Sequence, residues 1–360
     1  MKSAAFFRGA DLVHDAIALV KERLSAIPII RLDWIEPAPM GIDAGFDIIV
    51  EMDVAGRSRQ LACEIKSRGE PSIIMSAIFR LKRNLNTQSE PLVPVVIAPY
   101  LSSEARNICR ENSVGYFDFF GNAYLALDEI YIERELEGRP TAERRELKSL
   151  FKPKSARILR ILLRDPGRSW RVTELADVAK VSLGQVSNVR GKLIEREWAS
   201  VTPDGVRLIR PDALLDDWRN GYEAPTGPRL EFHTTLHGPA LERALADCLC
   251  IRDGKGVAAL ASFSAAKWLA PYGRVGSHFL YTDRQGLERL KMHLQLSPAP
   301  RGANVVVTLL DDDGPFLDTV EPAPGIICTS AVQTYLDLHD AGERGREAAD
   351  HLRRLCLKWV

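Results

Sequence analysis

The sequence predicts an α/β protein made of three consecutive segments. Residues 1–138 alternate helical and strand patterns, which favours a mixed sheet covered by helices. Residues 139–222 carry three short amphipathic helices followed by a hairpin pattern, and residues 223–360 mix helices and strands as an α+β domain does. A chain of 360 residues is too long for one ordinary core, so a division into domains is expected.

Composition places the chain among globular proteins of a reducing compartment. The hydrophobic fraction is 46% and the charged fraction 27%, ordinary values that argue against extended disorder. No apolar run approaches the roughly 18–20 residues of a membrane span, and Arg8 and Asp11 interrupt any signal-peptide core. The six cysteines are scattered rather than arranged as a secreted disulfide framework. We therefore expect a cytoplasmic protein without a membrane partner.

Apolar spacing defines the elements of the first segment. Residues 10–25 have the period of an amphipathic helix, and a second helix presents apolar side chains from Ile73 to Leu85. Ser102 or Ser103 caps a third helix that reaches Glu111. Strands are predicted over residues 46–54, 60–66 and 92–98, with the final strands between 124 and 132.

The first two of these strands carry residues suited to divalent-metal chemistry. If Gly56-Arg57 closes a two-residue hairpin, Asp47 lies opposite Lys66 and diagonal to Glu64, and the three side chains share one face. Two carboxylates so placed can hold Mg²⁺, and a neighbouring lysine can activate the water that attacks a phosphodiester. The alternative interpretation is an exposed cross-strand salt bridge between Asp47 and Lys66.

These residues resemble the PD-(D/E)xK motif of the restriction-endonuclease-like fold, over about residues 10–135. If the domain is a nuclease, the resemblance implies that Asp47, Glu64 and Lys66 are catalytic, with Asp47 and Glu64 as the metal ligands. It also implies that the next helix contacts the DNA backbone through its basic residues, which are Arg80, Lys82 and Arg83.

Two further features belong to the same resemblance. Some members of this fold use a glutamate of the first helix, and Glu22 lies on the polar face of that helix, where simple solvation explains it equally well. The run Asp118-Phe119-Phe120-Gly121-Asn122 resembles a D-x-x-G-N turn found late in such domains. We interpret Gly121-Asn122 as a tight turn rather than a catalytic element.

Charge is unevenly distributed although the formal net charge is zero. A basic segment contains only two acids, and the region from Asp311 begins with three consecutive aspartates. This asymmetry suggests that the basic segment faces phosphates, the alternative being a solvated charged connector. Its cations are Arg144, Arg145, Lys148, Lys152, Lys154, Arg157, Arg160, Arg164, Arg168 and Arg171.

Residues 152–212 have the pattern of a winged helix-turn-helix. A first helix over 155–163 is followed by a short second helix capped by Thr173, and Ser182-Leu183-Gly184-Gln185 has the capping-box form that starts a third. Two strand patterns then flank Pro203-Asp204-Gly205, a turn that suits a hairpin. In such a fold the third helix enters the major groove.

This arrangement predicts a set of DNA contacts. Polar residues near the start of the third helix can reach base edges, and residues of the hairpin and of the basic approach can meet phosphates. The alternative is a winged helix used only for protein contacts. The predicted DNA-binding residues are Lys152, Lys154, Arg171, Ser182, Gln185, Ser187, Asn188, Lys192, Arg207 and Arg210.

Two motifs of the last segment could suggest metals. His233 and His237 precede Cys248 and Cys250, but the Cys-x-Cys spacing is unusual and both cysteines continue a predicted helix, so we expect no zinc site. The run 311–314, Asp-Asp-Asp-Gly, ends a strand and is interpreted as a polar turn, with a metal loop as the alternative.

Three stretches carry a second resemblance: ASFSAA at 261–266, VQTYLDL at 332–338 and GERGREAADHLR at 342–353. They are similar to AbiEi-type antitoxins of type IV toxin–antitoxin systems, over about residues 155–360 including the winged helix. Members of that family typically begin with the winged helix, whereas here a segment that resembles a nuclease domain precedes it.

The second resemblance implies a DNA-binding transcriptional regulator that represses its own operon, with a C-terminal antitoxin domain. The partners would be a double-stranded DNA operator, a nucleotidyltransferase-like toxin and a second copy of the chain in a homodimer, and DNA binding would require no cofactor. The rival interpretation is a Mg²⁺-dependent DNA endonuclease targeted by its winged helix, with Mg²⁺ at Asp47 and Glu64.

Overall fold

The computed structural model describes residues 9–38, 46–85, 91–127, 130–250, 256–273, 276–299 and 301–359. The chain divides into two compact units. The first comprises Met1–Glu146 with Ile194–Glu197, and the second comprises Leu147–Leu193 with Trp198–Val360. The domain boundary predicted near residue 222 therefore falls inside the second unit.

The first unit is a mixed sheet between helices. Among the described residues its strands lie in chain order across the sheet, and β3, β4 and β5 are parallel neighbours while the other adjacent pairs are antiparallel. The elements in order are α1 (Gly9–Ser25), β1 (Ile30–Pro37), β2 (Ile48–Val54), β3 (Arg57–Ile65), α2 (Pro71–Leu85), β4 (Leu92–Ala98), α3 (Ser103–Glu111), β5 (Gly115–Asp118), β6 (Ala123–Ala126), β7 (Tyr131–Arg134) and α4 (Thr141–Leu150).

Each face of this sheet has its own apolar core. Helix α1 packs with the side chains of β2 and β3 that include Ile48, Cys63 and Ile65. Helices α2 and α3 pack on the other face, against residues such as Val96 and Tyr116. Since alternate residues of a strand point to opposite faces, Glu64 between Cys63 and Ile65 points to the α2 side.

Three elements of this unit were not predicted. Strand β1 is an edge strand whose residues are mostly exposed, so it lacks the alternating pattern of a half-buried strand. Strand β5 has only four residues, all of them buried. The region predicted as a charged connector holds helix α4, which begins in this unit and whose residues from Leu147 belong to the second. It carries acidic Glu143 in its first turn and basic Lys148 in its last, as the helix dipole favours.

The second unit begins with three helices and a two-stranded hairpin, in the predicted order. They are α5 (Pro153–Arg164), α6 (Val172–Ala179), α7 (Leu183–Glu195), β8 (Ala199–Thr202) and β9 (Gly205–Leu208), followed by α8 (Pro211–Asn220). The predicted cap of the second helix is wrong, because Arg171 rather than Thr173 occupies the N-cap position. Gly205 has φ +136°, and a Cβ there would lie 2.1 Å from the carbonyl oxygen of Trp170, so the hairpin requires glycine.

The rest of the second unit contains a second mixed sheet, with strand order β13-β10-β14-β12-β11-β16-β15 among the described residues. Its elements are β10 (Arg229–His233), α9 (Gly238–Leu249), β11 (Ala258–Leu260), α10 (Ser262–Leu269), β12 (His278–Thr282), α11 (Arg284–His293), β13 (Ser297–Pro298), β14 (Val305–Leu309), the 3₁₀ turn Gly314–Phe316, β15 (Val320–Ala323), β16 (Ile326–Cys328), α12 (Ala331–His339) and α13 (Gly342–Cys356).

One apolar core joins the three helices to the end of the chain. The buried cluster that contains Ile158, Val186 and Leu193 also contains Leu336 of α12 and Leu352 of α13. Helices α5, α6 and α7 thus complete their core with residues that lie more than a hundred positions later in the chain.

Candidate functional sites

The hairpin of β2 and β3 brings two of the predicted acids to one face, in a different register from the predicted one. Ala55-Gly56 forms the turn and Ile48 pairs with Cys63, so Asp47 lies opposite Glu64, whereas the prediction placed it opposite Lys66. The predicted register is therefore wrong by two residues. A shift of two keeps every side chain on its face, so Asp47 and Glu64 still share one. The Asp47 carboxylate accepts a hydrogen bond from the Ile65 backbone N–H at 2.7 Å.

Glu64 is fully buried and is paired with cations from two elements. Its Oε1 accepts from the Lys66 ammonium at 2.5 Å and also contacts the guanidinium of Arg80 on α2. Burial lowers the pKa of Lys66, and the nearby Asp47 carboxylate opposes that shift. The alternative of an exposed Asp47–Lys66 bridge is not what the structure contains, since the ion partner of Lys66 is the buried Glu64.

Two of the three basic residues of α2 have partners within the fold. Arg80 pairs with Glu64, and Lys82 donates to Asn112 Oδ1 at 3.1 Å, whereas Arg83 is exposed. The predicted contact of this helix with the DNA backbone stays a prediction.

A divalent metal does not fit this donor set. Mg²⁺ is held by carboxylates whose negative charge is available to it, yet the charge of Glu64 is already compensated by Lys66 and Arg80, which both contact its Oε1. Glu22 cannot add a ligand, because it is exposed on α1 and α1 packs on the opposite face of the sheet. The described residues contain no cluster of three or more His, Cys, Asp or Glu side chains able to hold a metal ion.

The Asp118–Asn122 run forms the tight turn that was predicted. Asp118 is buried, and its Oδ1 accepts from the backbone N–H groups of Gly121 and Asn122, each at 2.8 Å. Its Oδ2 accepts from the Leu101 N–H at 3.0 Å. Burial raises the pKa of Asp118, and these hydrogen bonds oppose the shift. Asp118 therefore organises the turn between β5 and β6.

In the second unit, helix α7 presents a narrow polar face to solvent. Val186, Val189 and Leu193 are buried, as predicted. Ser187 and Asn188 lie exposed on the opposite side. Gly184 and Gly191 share that side, and an added Cβ at Gly191 would meet no heavy atom within 4 Å. Beyond its first residue, the exposed side of α7 therefore consists mainly of small or polar side chains.

Two residues predicted to contact DNA from α7 have structural partners. Ser182 is exposed and caps the helix by accepting from the Gln185 N–H at 3.2 Å. The Gln185 amide does not complete the predicted capping box, because its Nε2 donates to Ser155 Oγ of α5 at 2.8 Å. Lys192 is half-buried. Gln185 therefore ties α7 to α5.

The basic segment is not one continuous exposed surface. Arg157 and Arg160 are buried. Lys154 is exposed but lies 3.7 Å from the Asp312 carboxylate, and the polar turn at 311–314 supplies that partner. Part of the basic segment is therefore paired with an aspartate of the acidic run rather than left free for phosphates.

The other predicted phosphate contacts lie at the ends of elements. Lys152 is exposed immediately before α5, and Arg171 is exposed immediately before α6. Arg207 is exposed on β9 of the hairpin, whereas Arg210 is half-buried at the start of α8. Lys152, Arg171 and Arg207 are thus accessible cations around the three helices.

Two residues absent from the predicted set line the same surface. Leu183 is 52% exposed at the first position of α7. Leu183 does not lie on the buried side of the helix that carries Val186, Val189 and Leu193. An apolar residue outside that buried side is the signal in the sequence that could have identified it. Lys180 is exposed in the left-handed conformation between α6 and α7. It borders an open groove of about 580 Å³ that is also lined by Lys154, Ala176, Asp177, Val181, Ser182 and Gln185.

A buried polar network connects α5 with α12. Arg160 donates to Gln333 Oε1 at 2.8 Å, and Gln333 Nε2 donates to Asp337 Oδ1 at 2.9 Å. The Tyr222 hydroxyl donates to the same Asp337 oxygen at 2.5 Å. Burial raises the pKa of Asp337 to about 6, although hydrogen bonds from the neighbouring side chains act in the opposite direction. The network includes Asp318, whose carboxylate lies 3.9 Å from Arg160.

The remaining metal motif does not assemble. Cys248 is buried in the core between α9 and the second sheet, and Cys250 is exposed. His233 is exposed on β10, and His237 precedes α9 with its Nδ1 3.1 Å from the Thr235 carbonyl oxygen.

One comparison links the chain to a known family. Residues 207–358 match the family model described as "Transcriptional regulator, AbiEi antitoxin, Type IV TA system". The match begins in β9 and covers somewhat less than half of the chain. It supports the predicted AbiEi-type resemblance for the last segment. A search of the curated proteins and a search of the solved structures found no match. In the part of the chain that the structure describes, no helix is long and apolar enough to cross a membrane.

Proposed function

We propose that this protein is a cytoplasmic DNA-binding transcriptional regulator that acts as the antitoxin of a type IV toxin–antitoxin system. The match of residues 207–358 to the AbiEi regulator family carries this proposal. The partner of the C-terminal region is then a toxin, which we expect to be nucleotidyltransferase-like. The regulator binds double-stranded operator DNA in its own promoter and represses its own operon, as a homodimer and without a cofactor.

The DNA-binding part is a winged helix formed by α5, α6, α7 and the β8–β9 hairpin. The order of these elements supports the assignment, together with the polar exposed side of α7. Asn188 reads a base edge in the major groove, since an Asn amide pairs well with adenine. Leu183 is placed for apolar contact with a thymine methyl group.

Cations around α7 hold the duplex through its phosphates. Lys152, Lys180 and Arg171 are exposed near the helix ends, and Arg207 extends from the hairpin. Such contacts fix position without reading sequence and make affinity depend on salt. The small residues on the exposed side of α7 favour a close approach of the helix to the groove floor.

The first unit is proposed to be a restriction-endonuclease-like domain that has no cleavage role. The antiparallel β2–β3 hairpin followed by parallel β4 supports the fold assignment. The two cations on Glu64 argue against metal-dependent cleavage.

The test is binding of the full chain to DNA from upstream of its own gene, measured by fluorescence anisotropy against unrelated DNA of equal length. We expect at least a hundred-fold preference for the upstream DNA. Lys152→Ala should weaken binding to both DNAs alike and reduce the slope of log K against log salt by about one. Equal affinity for both DNAs, or no loss when residues 140–215 are deleted, would contradict the proposal.

A further inference from the structure

The carboxylates of the β2–β3 hairpin lie in a cluster whose charges already cancel. Asp47 and Glu64 are matched by Lys66 and Arg80. Glu64 is fully buried, and its second oxygen, Oε2, is buried without a hydrogen-bond partner. A buried carboxylate is stable only when opposite charge compensates it, and here side-chain cations supply that charge.

Lys66 by itself does not prevent a metal ion from binding to Asp47 and Glu64. It lies two residues from Glu64 on the same strand face, and a lysine there can stand beside a metal-bound water. Arg80 differs because it comes from another element, α2, and its guanidinium contacts Glu64 Oε1 directly. Glu64 therefore has its negative charge compensated by cations from two elements, even though its Oε2 has no hydrogen-bond partner.

We infer that Arg80 is a built-in counter-ion that takes the place of a divalent metal at Asp47 and Glu64. Asp47 and Glu64 are then stable in the folded first unit without a metal ion. Mg²⁺ or Mn²⁺ cannot bind between them unless the Arg80 guanidinium moves away from Glu64. Removal of the Arg80 charge would leave two carboxylates against one ammonium. That arrangement has the net negative charge and the free hard oxygens that these ions require.

The exposed side of α2 offers a matched control. Arg83 lies three residues after Arg80 on the same helix and is exposed to solvent. Arg80→Met and Arg83→Met therefore make the same chemical change in the same helix. Only the first removes a contact to Glu64. Arg80→Lys keeps a cation at the position and serves as the conservative variant.

The experiment measures Mn²⁺ binding by the full-length protein through the loss of the electron paramagnetic resonance signal of free Mn²⁺. We expect wild type, Arg83→Met and Arg80→Lys to leave the signal unchanged. Arg80→Met should bind one ion at least ten-fold more tightly than wild type. Addition of Glu64→Gln to Arg80→Met should abolish that binding.

Two results would overturn the inference. The first is Mn²⁺ binding by wild type that Asp47→Asn removes, since the site would then accept metal with Arg80 in place. The second is a folded Arg80→Met, with the circular dichroism of wild type, that gains no affinity. If Arg80→Met does not fold, the comparison of wild type with Asp47→Asn decides the question alone. If wild type then binds no Mn²⁺, the result supports Arg80 as the counter-ion of Glu64. The unfolding of Arg80→Met would itself show that the buried Glu64 carboxylate requires the Arg80 charge for the protein to fold.

Discussion

The guanidinium of Arg157 meets the carboxylate of Asp312 at two points, although the residues are 155 positions apart. Nε donates to Oδ1 at 3.1 Å and Nη2 donates to Oδ2 at 2.7 Å. Two parallel hydrogen bonds of this kind are stronger and more directional than a single ion contact. The pair joins helix α5 to the turn that follows β14, and α5 therefore has a defined position in the second unit.

The first prediction concerns this pair. Asp312→Asn should lower the free energy of unfolding by about 2 kcal/mol, because it leaves the buried Arg157 without a counter-charge. The matched control is Asp313→Asn, which changes an exposed neighbour and should stay within about 0.5 kcal/mol of wild type. Urea unfolding at pH 7 measures both. Equal losses for the two variants would show that the pair contributes nothing specific.

The same pair has a defined pH dependence. Burial raises the pKa of Asp312, but hydrogen bonds from Arg157 and the Gly314 N–H outweigh it and hold the pKa below its usual 3.8. A lowered carboxyl pKa contributes stability that is complete above the unfolded value and is lost as pH falls through the folded one. The difference between wild type and Asp312→Asn should therefore shrink below about pH 4.

The second prediction concerns Asp337, whose contribution to stability decreases as pH rises, the opposite of the pH dependence at Asp312. Its pKa in the folded protein is raised to about 6 by burial. The folded state therefore holds a proton that the unfolded state releases, and stability is lost as pH rises from about 4 to 6. Around it lie Tyr222, Tyr281, Gln333 and Arg160. Asp337→Asn should remove this loss.

The test compares urea unfolding of wild type and Asp337→Asn from pH 5 to pH 8. Wild type should become less stable relative to the variant as pH increases, with most of the change complete by pH 7. Asp340→Asn, three residues later and exposed, is the control and should follow wild type. A constant difference across the range would mean that Asp337 does not titrate between pH 5 and pH 8 in the folded protein, contrary to the prediction.

The third prediction separates a DNA contact from a structural one on α7. Asn188→Ala should weaken binding to the operator by about 1–3 kcal/mol without a change in stability, because Asn188 is exposed. Gln185→Ala should lower the free energy of unfolding by about 1 kcal/mol, because it removes the hydrogen bond to the buried Ser155. Anisotropy and urea titrations measure the two effects. Asn220→Ala, exposed on α8, is the control. If Asn188→Ala loses no more operator affinity than Asn220→Ala, α7 does not read bases through Asn188.

The fourth prediction concerns nuclease activity. Incubation of plasmid and operator DNA with the purified protein and Mg²⁺ or Mn²⁺ should leave both intact, because Glu64 is already neutralised by Lys66 and Arg80. Asp47→Ala and Lys66→Ala reveal contamination, since a contaminating nuclease acts equally in all preparations. Cutting by wild type but by neither variant would establish the endonuclease instead.

Local periodicity accounts for what could be predicted from the sequence. The helices α1, α2, α3, α5 and α7 have apolar residues at helical spacing, and each lies where its pattern indicated. Strand β1 was missed because an exposed edge strand needs no alternation, and α4 was missed because its charges resemble those of a connector.

The sites were less predictable because their partners are distant in the chain. Ser182-x-x-Gln185 suggested a capping box, but the Gln185 amide reaches Ser155, thirty residues earlier. Arg160 belongs to a basic run, yet it is buried against Gln333. The Glu64–Arg80 contact joins a strand to a helix. No local pattern indicates such pairs, because burial and not spacing decides them.

The apolar core that α5, α6 and α7 share with α12 and α13 also bears on synthesis of the protein. The hairpin ends at Leu208, but Leu357 of the same core is translated 149 residues later (357 − 208). At about 5–20 residues per second, the three helices wait roughly 7–30 s on the ribosome for their last packing partners. Stalled nascent chains that end before residue 330 should therefore remain sensitive to protease within 153–208. The three helices would then reach their stable packing only after α12 and α13 have been synthesised.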